Sequence, residues 1–252
     1  MTRTYTGPGE CGGPEIDKKS VSSFFDKRAE KIESVGPLHA VIYQDKDSDL
    51  ALNRDIAEKQ KLLPLLQLSG SERLLDVGCG TGRWAQNLIP VTGNYYGIDA
   101  CEGLVEYSRQ HFSSENSSFF VASADDFSLH TLGVVEPFDR VLCAGVLIYL
   151  NDTELGNALR CIANAIAPGG LILLREPVGL GRRLTISEHF SEDMEQYYNA
   201  IYRTREELEA FIRTEMPAPN FRFVGAGDVY DDMALNNRSD TRQCWFLLER
   251  NR

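Results

Sequence analysis

Apolar positions divide the chain into two regimes. Up to about residue 68 they are sparse and spaced as on helices, whereas beyond residue 70 short apolar runs of strand length alternate with amphipathic, helix-length stretches. In the first regime Ser22–Ser23–Phe24–Phe25, followed by DKRAEKIES, predicts a short helix that Gly36–Pro37 ends. A second helix is predicted from Asp47 to Leu66, where Leu50, Ile56, Leu62, Leu63, Leu65 and Leu66 form a partial apolar stripe. Pro64 kinks or shortens it, because proline has no N–H to give the helix.

In the second regime, strands are predicted at Arg73–Val77, Tyr95–Ile98, Ser118–Ala122, Phe138–Cys143 and Leu171–Arg175. Helices fall at Thr81–Ile89, after Asp99 through Tyr107, and from Asp152 to Ile166, with Asp152 as N-cap and Pro168–Gly169–Gly170 as the stop. Leu171–Arg175 opens fully apolar, as buried parallel strands do. This alternation implies right-handed βαβ units and a parallel sheet covered by helices on both faces. Residues 177–219 break the rhythm. There SEHFSEDMEQYYNAIYRTREELEAFIR predicts two helices separated near Arg203–Thr204, and Thr204 with Glu207 is a capping-box pattern. Phe221–Gly225 and Gln243–Glu249, joined by a loop carrying Asn236–Asn237, predict an antiparallel hairpin that closes the sheet. The expected fold is α/β: a doubly wound, seven-stranded, mostly parallel sheet with an antiparallel last strand. A helical N-terminal lid and a helical insertion between strands 5 and 6 complete it.

Composition narrows the setting. With 252 residues, 42% hydrophobic and 25% charged, the chain suits one α/β domain with a small appendage. A net charge of -11 disfavours a nucleic-acid partner, whose affinity rests on cations meeting phosphates. The six cysteines (Cys11, Cys79, Cys101, Cys143, Cys161, Cys244) form no CxxC pair and read as small core residues of a reducing compartment. No signal-like apolar run opens the chain, so a cytoplasmic location is expected, and no stretch reaches the roughly 20 apolar residues of a membrane span. The Gly- and Pro-rich start, residues 1–19, reads as a disordered leader. No His, Asp, Glu or Cys cluster has metal-ligand spacing, so no metal is expected.

The chemistry concentrates in LLDVGCGTGRW, Leu74 to Trp84. Gly78, Gly80 and Gly82 alternate through a turn that follows a strand, where glycine admits positive φ and close approach of a ligand. A strand, a glycine turn and a helix make a nucleotide-type cradle. The Gly-Lys-Ser/Thr of a phosphate-binding loop is missing, and the spacing is GxGxG rather than the GxGxxG of dinucleotide sites. Asp76, just before the turn, repels a pyrophosphate but suits a cationic amino-acid moiety. Asp99 ends the next strand about 20 residues on, where an acid takes a ribose hydroxyl pair.

Taken in order, LLDVGCGTGRW, GIDA, the AD-D segment, FDRVLCAGVLIYL and APGG–LILLREP resemble the class I S-adenosylmethionine-dependent methyltransferases of small-molecule type, from Ser69 to Pro177. The resemblance implies a Rossmann-like domain over residues 69–252, a lid over 20–68 and an acceptor-binding cap over 177–219. It further implies that the Gly78–Cys79–Gly80 backbone approaches the methionine part of S-adenosyl-L-methionine and that Asp76 orients its ammonium. Asp99 takes the ribose, and Ala100 lies beside the adenine. Ser123 stands where relatives carry an acid for the adenine amino group, which leaves Asp125, beside Ala124, as the alternative. Cys143 ends the fourth strand under the sulfonium.

A sulfonium methyl is already activated, so alignment supplies much of the rate and a general base adds about 10²–10⁴ for a hydroxyl acceptor. In relatives the fourth strand is followed by a Leu-His-His-Leu-like segment. Here Leu147–Ile148–Tyr149–Leu150 puts Tyr149 in the second histidine's place, as an acceptor-positioning candidate. Of His39, His111, His130 and His189, the first lies in the lid and the last in the insertion. Either can serve as base at an ordinary pKa near neutrality. Glu176, beside Arg175 at the carboxyl end of the fifth strand, is a third candidate. Arg182, Tyr202 and Arg203 offer aromatic surface and bidentate donors to a sugar-like or carboxylated acceptor. The reading is methylation of an oxygen or nitrogen of a small molecule, such as a sugar or secondary metabolite, by a monomer or homodimer, leaving S-adenosyl-L-homocysteine. The alternatives are methylation of a protein terminus or tRNA, and a non-catalytic cofactor-binding subunit.

Overall fold

The computed structural model describes residues 2–7, 12–42, 48–192, 194–236 and 238–252. The N-terminal part holds β1 (Thr2–Thr6), α1 (Lys18–Glu30), α2 (Ile32–Val35), α3 (Pro37–Ile42) and α4 (Ser48–Leu62). There follow β2 (Arg73–Val77), α5 (Ala85–Leu88), β3 (Asn94–Asp99), α6 (Glu102–Phe112), β4 (Ser117–Val121), β5 (Phe138–Ala144) and α7 (Asp152–Ala165). The chain ends in β6 (Ile166–Gly179), β7 (Arg183–Ser191), β8 (Gln196–Tyr202), α8 (Arg205–Glu215), β9 (Phe221–Asp228) and β10 (Thr241–Arg250).

Seven strands form one sheet in the order β4-β3-β2-β5-β6-β10-β9. Pairing is parallel from β4 through β6, and β10 runs antiparallel to both of its neighbours. This is the expected doubly wound sheet with an antiparallel last strand. From β2 the chain builds outward to β3 and β4 on one side, then returns to build β5 and β6 on the other. The carboxyl ends of β2 and β5 therefore flank the crevice where such sheets bind ligands.

Alternation along the strands sends successive side chains to opposite faces. Leu75, Val77, Val141 and Leu174 pack on one face against Leu155, Leu159 and Ile162 of α7 and Ile212 of α8. Leu74, Leu142 and Leu173 pack on the other against Leu62, Leu66, Trp84 and Leu88. Each such side chain contributes about 1.5–3 kcal/mol of burial. The lid adds two smaller clusters: Phe24 of α1 against Leu184, Ile186 and Tyr198, and Ile32 and Ala40 against Leu104 of α6.

Several expectations are corrected. The first part of the insertion is a β-hairpin, not a helix: β7 and β8 pair antiparallel, and β1 adds to β7 from the far end of the chain. Leu-Thr-Ile and Tyr-Tyr-Asn-Ala-Ile-Tyr suit strands through their β-branched and aromatic side chains, but the partner that pairs with β7 is 180 residues away in sequence and leaves no local signal. For the same reason Thr2–Thr6 is a paired strand rather than disordered leader. Only the second insertion helix forms, α8, opened by the Thr204–Glu207 capping box. Asn151, not Asp152, is the N-cap of α7; its side chain instead bonds the backbone N and O of Ile16 at 2.9 and 3.1 Å. The helix expected over Thr81–Ile89 shortens to Ala85–Leu88, since Gly82 has φ +77. Helix α4 stops at Leu62, and Pro64 sits in a 3-10 turn over Leu63–Leu66. Asp47, Cys11 and Asn237 lie outside the described residues. Among the described residues the cysteines are free, no helix is long and apolar enough to cross a membrane, and no group of side chains could hold a metal ion.

Candidate active site

The turn after β2 is held by its neighbours on three sides. Gly78 and Cys79 donate to the Ile98 carbonyl at 2.7 and 2.9 Å, and Gly80 donates to Asp99 Oδ2 at 3.0 Å. Gly78 adopts φ +76, and a Cβ there would lie 2.1 Å from Val146 Cγ2. At Gly80, with φ +55, a Cβ would meet Val41 of the lid at 3.0 Å. The glycines thus let the lid and the loop after β5 close on bare backbone.

Two carboxylates frame this turn. Asp99 lines the cavity; its Oδ1 accepts from Cys101 N at 2.9 Å, and burial pushes its pKa up against that bond and the one from Gly80. Asp76 is buried beneath the turn and accepts from the Tyr95 hydroxyl at 2.6 Å on Oδ2. Its other oxygen has no partner among the described residues, and burial raises its pKa to about 6. A buried carboxylate oxygen without a donor fits a ligand ammonium, as the methionine end of S-adenosylmethionine would present.

A cavity of about 560 Å³ extends from the turn. At one end stand Ala100, Ala124 and Asp125, with the Ser123 hydroxyl bonded to Asp125 and Lys18 of the lid 3.7 Å from the same carboxylate. At the other end stand Tyr149, Tyr198, Tyr202 and His189. The three tyrosine hydroxyls form a chain, Tyr149 to Tyr198 at 3.4 Å and Tyr198 to Tyr202 at 3.0 Å. Phe25 of the lid packs edge-on to Tyr149 with ring centroids 5.0 Å apart.

His189 reaches the cavity through a β-bulge. Ile186 pairs with Ala200 and His189 with Tyr198, so Ser187 and Glu188 together oppose Asn199. Strict alternation after Leu184 and Ile186 would turn Glu188 inward. The bulge, with Glu188 at φ +48 and its N–H bonded to Asn199 Oδ1 at 2.8 Å, turns His189 inward instead. Its Nδ1 is buried without a partner among the described residues. Burial, with Arg3 and Arg238 nearby, holds its pKa below the usual imidazole range.

Four sequence candidates leave the cavity. Glu176 is buried, and its carboxylate accepts from the backbone N–H groups of Gly145, Val146, Leu147 and Ile148 at 3.1, 2.9, 3.0 and 3.3 Å. It shapes the loop that carries Tyr149 instead of meeting an acceptor. Cys143 points into the core on the face opposite the lid, and burial pushes its thiol up. Arg182 is exposed and stacks on Tyr5 at 4.3 Å. Arg203 is buried and ties the carbonyls of Leu147 and Leu150 to Asp152. His39, the lid histidine, is not on the cavity wall.

Sequence reasoning missed a buried ionic network under the lid. Arg83, just past the glycine turn, donates to Asp55 and Glu58 of α4 at 2.9 and 2.6 Å, and Arg175 reaches the other Glu58 oxygen at 2.5 Å. Burial opposes the Glu58 charge, but Arg175 and Arg83 hold its pKa below the ordinary carboxylate value. The signal available was Asp55 and Glu58 at i, i+3 on one helix face, without any hint of their partners.

Residues 74–170 match the family profile described as a methyltransferase domain. Phosphoethanolamine N-methyltransferase 1 of Zea mays is 23% identical over 241 residues, 91% of this chain and 43% of that protein. The ubiquinone biosynthesis O-methyltransferase of Hydrogenovibrio crunogenus is 30% identical over 104 residues, 40% of this chain and 41% of that one. The chain spans less than half the length of these curated relatives. Among solved structures, phosphoethanolamine N-methyltransferase 1 of Haemonchus contortus, in complex with phosphoethanolamine and S-adenosylhomocysteine, superposes with a TM-score of 0.70 at 17% identity, over 93% of this chain and 49% of that one. The protein carries a class I, Rossmann-like S-adenosylmethionine-dependent methyltransferase domain.

Proposed function

We propose that the protein transfers the methyl group of S-adenosylmethionine to an oxygen or nitrogen of a small-molecule acceptor held between the lid and the β7–β8 hairpin. The observation that carries this reading is one cavity joining the Gly78–Asp99 cradle to the wall of Tyr149, Tyr198, Tyr202 and His189. Its volume lies in the range of small-ligand sites. The named relatives act on small molecules, one at nitrogen and one at oxygen by their names, which supports the same class of acceptor here.

When bound, S-adenosylmethionine supplies a methyl group already activated by its sulfonium. The chain's own residues do the rest. Asp99 offers its cavity-facing carboxylate to the ribose hydroxyls, and Asp125 stands at the adenine end in the absence of an acid at Ser123. Tyr149 and Tyr198 hold the acceptor through their linked hydroxyls. His189, neutral at pH 7 because its pKa is held down, takes the acceptor proton on Nδ1. The lid and the hairpin keep water from the reacting atoms.

The test is turnover of S-adenosylmethionine with a panel of small amines, alcohols and phenols, read as S-adenosylhomocysteine release. A hydroxyl acceptor should be methylated, with His189→Gln lowering kcat by about 10²–10⁴ and leaving S-adenosylhomocysteine affinity unchanged. Cofactor binding without turnover on any acceptor would contradict the enzymatic reading.

A further inference from the structure

Asp76 and Arg175 stand on the same face of the sheet, on the two strands that flank β5. Asp76 pairs with Leu142 of β5, and Arg175 with Ala144. Leu74, two residues before Asp76, and Leu173, two before Arg175, share one apolar cluster, and alternation places both charges on that face. Two strand spacings separate their backbones, about 10 Å. Between them the end of β5 presents only Ala144 and Gly145, both on the cavity wall.

Each of the two charges has capacity to spare. Asp76 Oδ1 has no donor, and Arg175 Nε no acceptor, among the described residues. Arg175 uses Nη2 on Glu58, while Nη1 lies 3.3 Å from where a Cβ of Gly145 would stand, at the cavity wall. Arg83 differs, since its two Nη atoms are engaged by Asp55 and Glu58. A ligand that carries an ammonium and a carboxylate on neighbouring atoms satisfies both groups at once.

We infer that Asp76 and Arg175 form a clamp for an α-amino-acid zwitterion, with Asp76 taking the ammonium and Arg175 the carboxylate. The inference rests on the proposed cofactor and assigns its methionyl end. It gives Arg175 a role that nothing in the glycine motif specifies. Through Glu58 it also ties the carboxylate subsite to helix α4, so that the lid and the cofactor share one ionic network.

Calorimetry with S-adenosylhomocysteine and with 5′-methylthioadenosine, which lacks the amino-acid end, tests the clamp. Arg175→Gln should weaken S-adenosylhomocysteine by about 10–100-fold, the worth of a charge-assisted pair, and leave 5′-methylthioadenosine within about twofold. On the wild-type protein, where folding is not at issue, decarboxylated S-adenosylmethionine should bind about 10–100-fold more weakly than S-adenosylmethionine. Equal affinity of those two cofactors overturns the clamp. So does a parallel loss of both adenosine ligands in Arg175→Gln, or a loss of acceptor turnover with S-adenosylhomocysteine affinity unchanged, which would give Arg175 to an acceptor anion. If neither adenosine ligand binds the wild-type protein, it is the cofactor reading that fails.

Discussion

Replacing Glu176 by glutamine should remove a pH dependence from the stability of the protein. The Glu176 carboxyl is buried, and burial raises its pKa to about 7 despite the N–H bonds from Leu147, Val146 and Ile148, against an ordinary value of 4.5. The folded state therefore keeps a proton that the unfolded chain releases above pH 4.5. Stability from this group is greatest below pH 4.5, falls as pH rises to about 7, and is level beyond. At 1.36 kcal/mol per unit, the gap amounts to roughly 3 kcal/mol. Glutamine keeps an acceptor for Gly145, Val146 and Leu147 but faces the Ile148 N–H with an amide, a fixed cost that does not titrate. Urea unfolding of both proteins from pH 4.5 to 8.5 gives the difference directly. The stability of wild type minus variant should fall by about 3 kcal/mol up to pH 7 and then stay level. A difference independent of pH refutes the reasoning: the backbone donors would then hold the carboxylate ionised in spite of its burial.

Three further outcomes follow from the same geometry. Gly78→Ala forces a Cβ against Val146 in a left-handed backbone, and should cost about 1–3 kcal/mol in thermal unfolding and abolish S-adenosylhomocysteine binding in calorimetry. S-adenosylhomocysteine affinity should fall as pH drops through about 6, because the protonated Asp76 no longer meets an ammonium, and Asp76→Asn should bind weakly with no such pH dependence. Glu58→Gln strips the countercharge from Arg83 and Arg175 and should lower urea-unfolding stability by about 3–5 kcal/mol.

The parts of the fold legible in the sequence are those with local causes. Arg73–Val77 was readable because its apolar run ends in a glycine turn, and α8 because Thr204 and Glu207 cap it. The β7–β8 hairpin was not, because its acidic residues imitate a helix face and its stabilising partner is Thr2–Thr6. The site divides the same way. Gly78, Asp76 and Asp99 follow from spacing, since backbone turns and strand ends dictate them. Glu176 and Arg203 looked like chemistry because a charge beside an apolar run is conspicuous, yet both are consumed by backbone groups of one loop, residues 145–150. His189 reaches the cavity only through the two-residue bulge opposite Asn199, which no periodicity announces. Arg175 and Glu58 meet across 117 positions, and only the folded chain brings them together.

The most direct test of the central claim is calorimetric titration of S-adenosylhomocysteine into the wild-type protein and into Asp99→Ala. The account predicts saturable binding at one site, weakened in the variant by about 10–100-fold as the ribose hydroxyls lose a charged acceptor. Binding by neither protein, or equal binding by both, would contradict it.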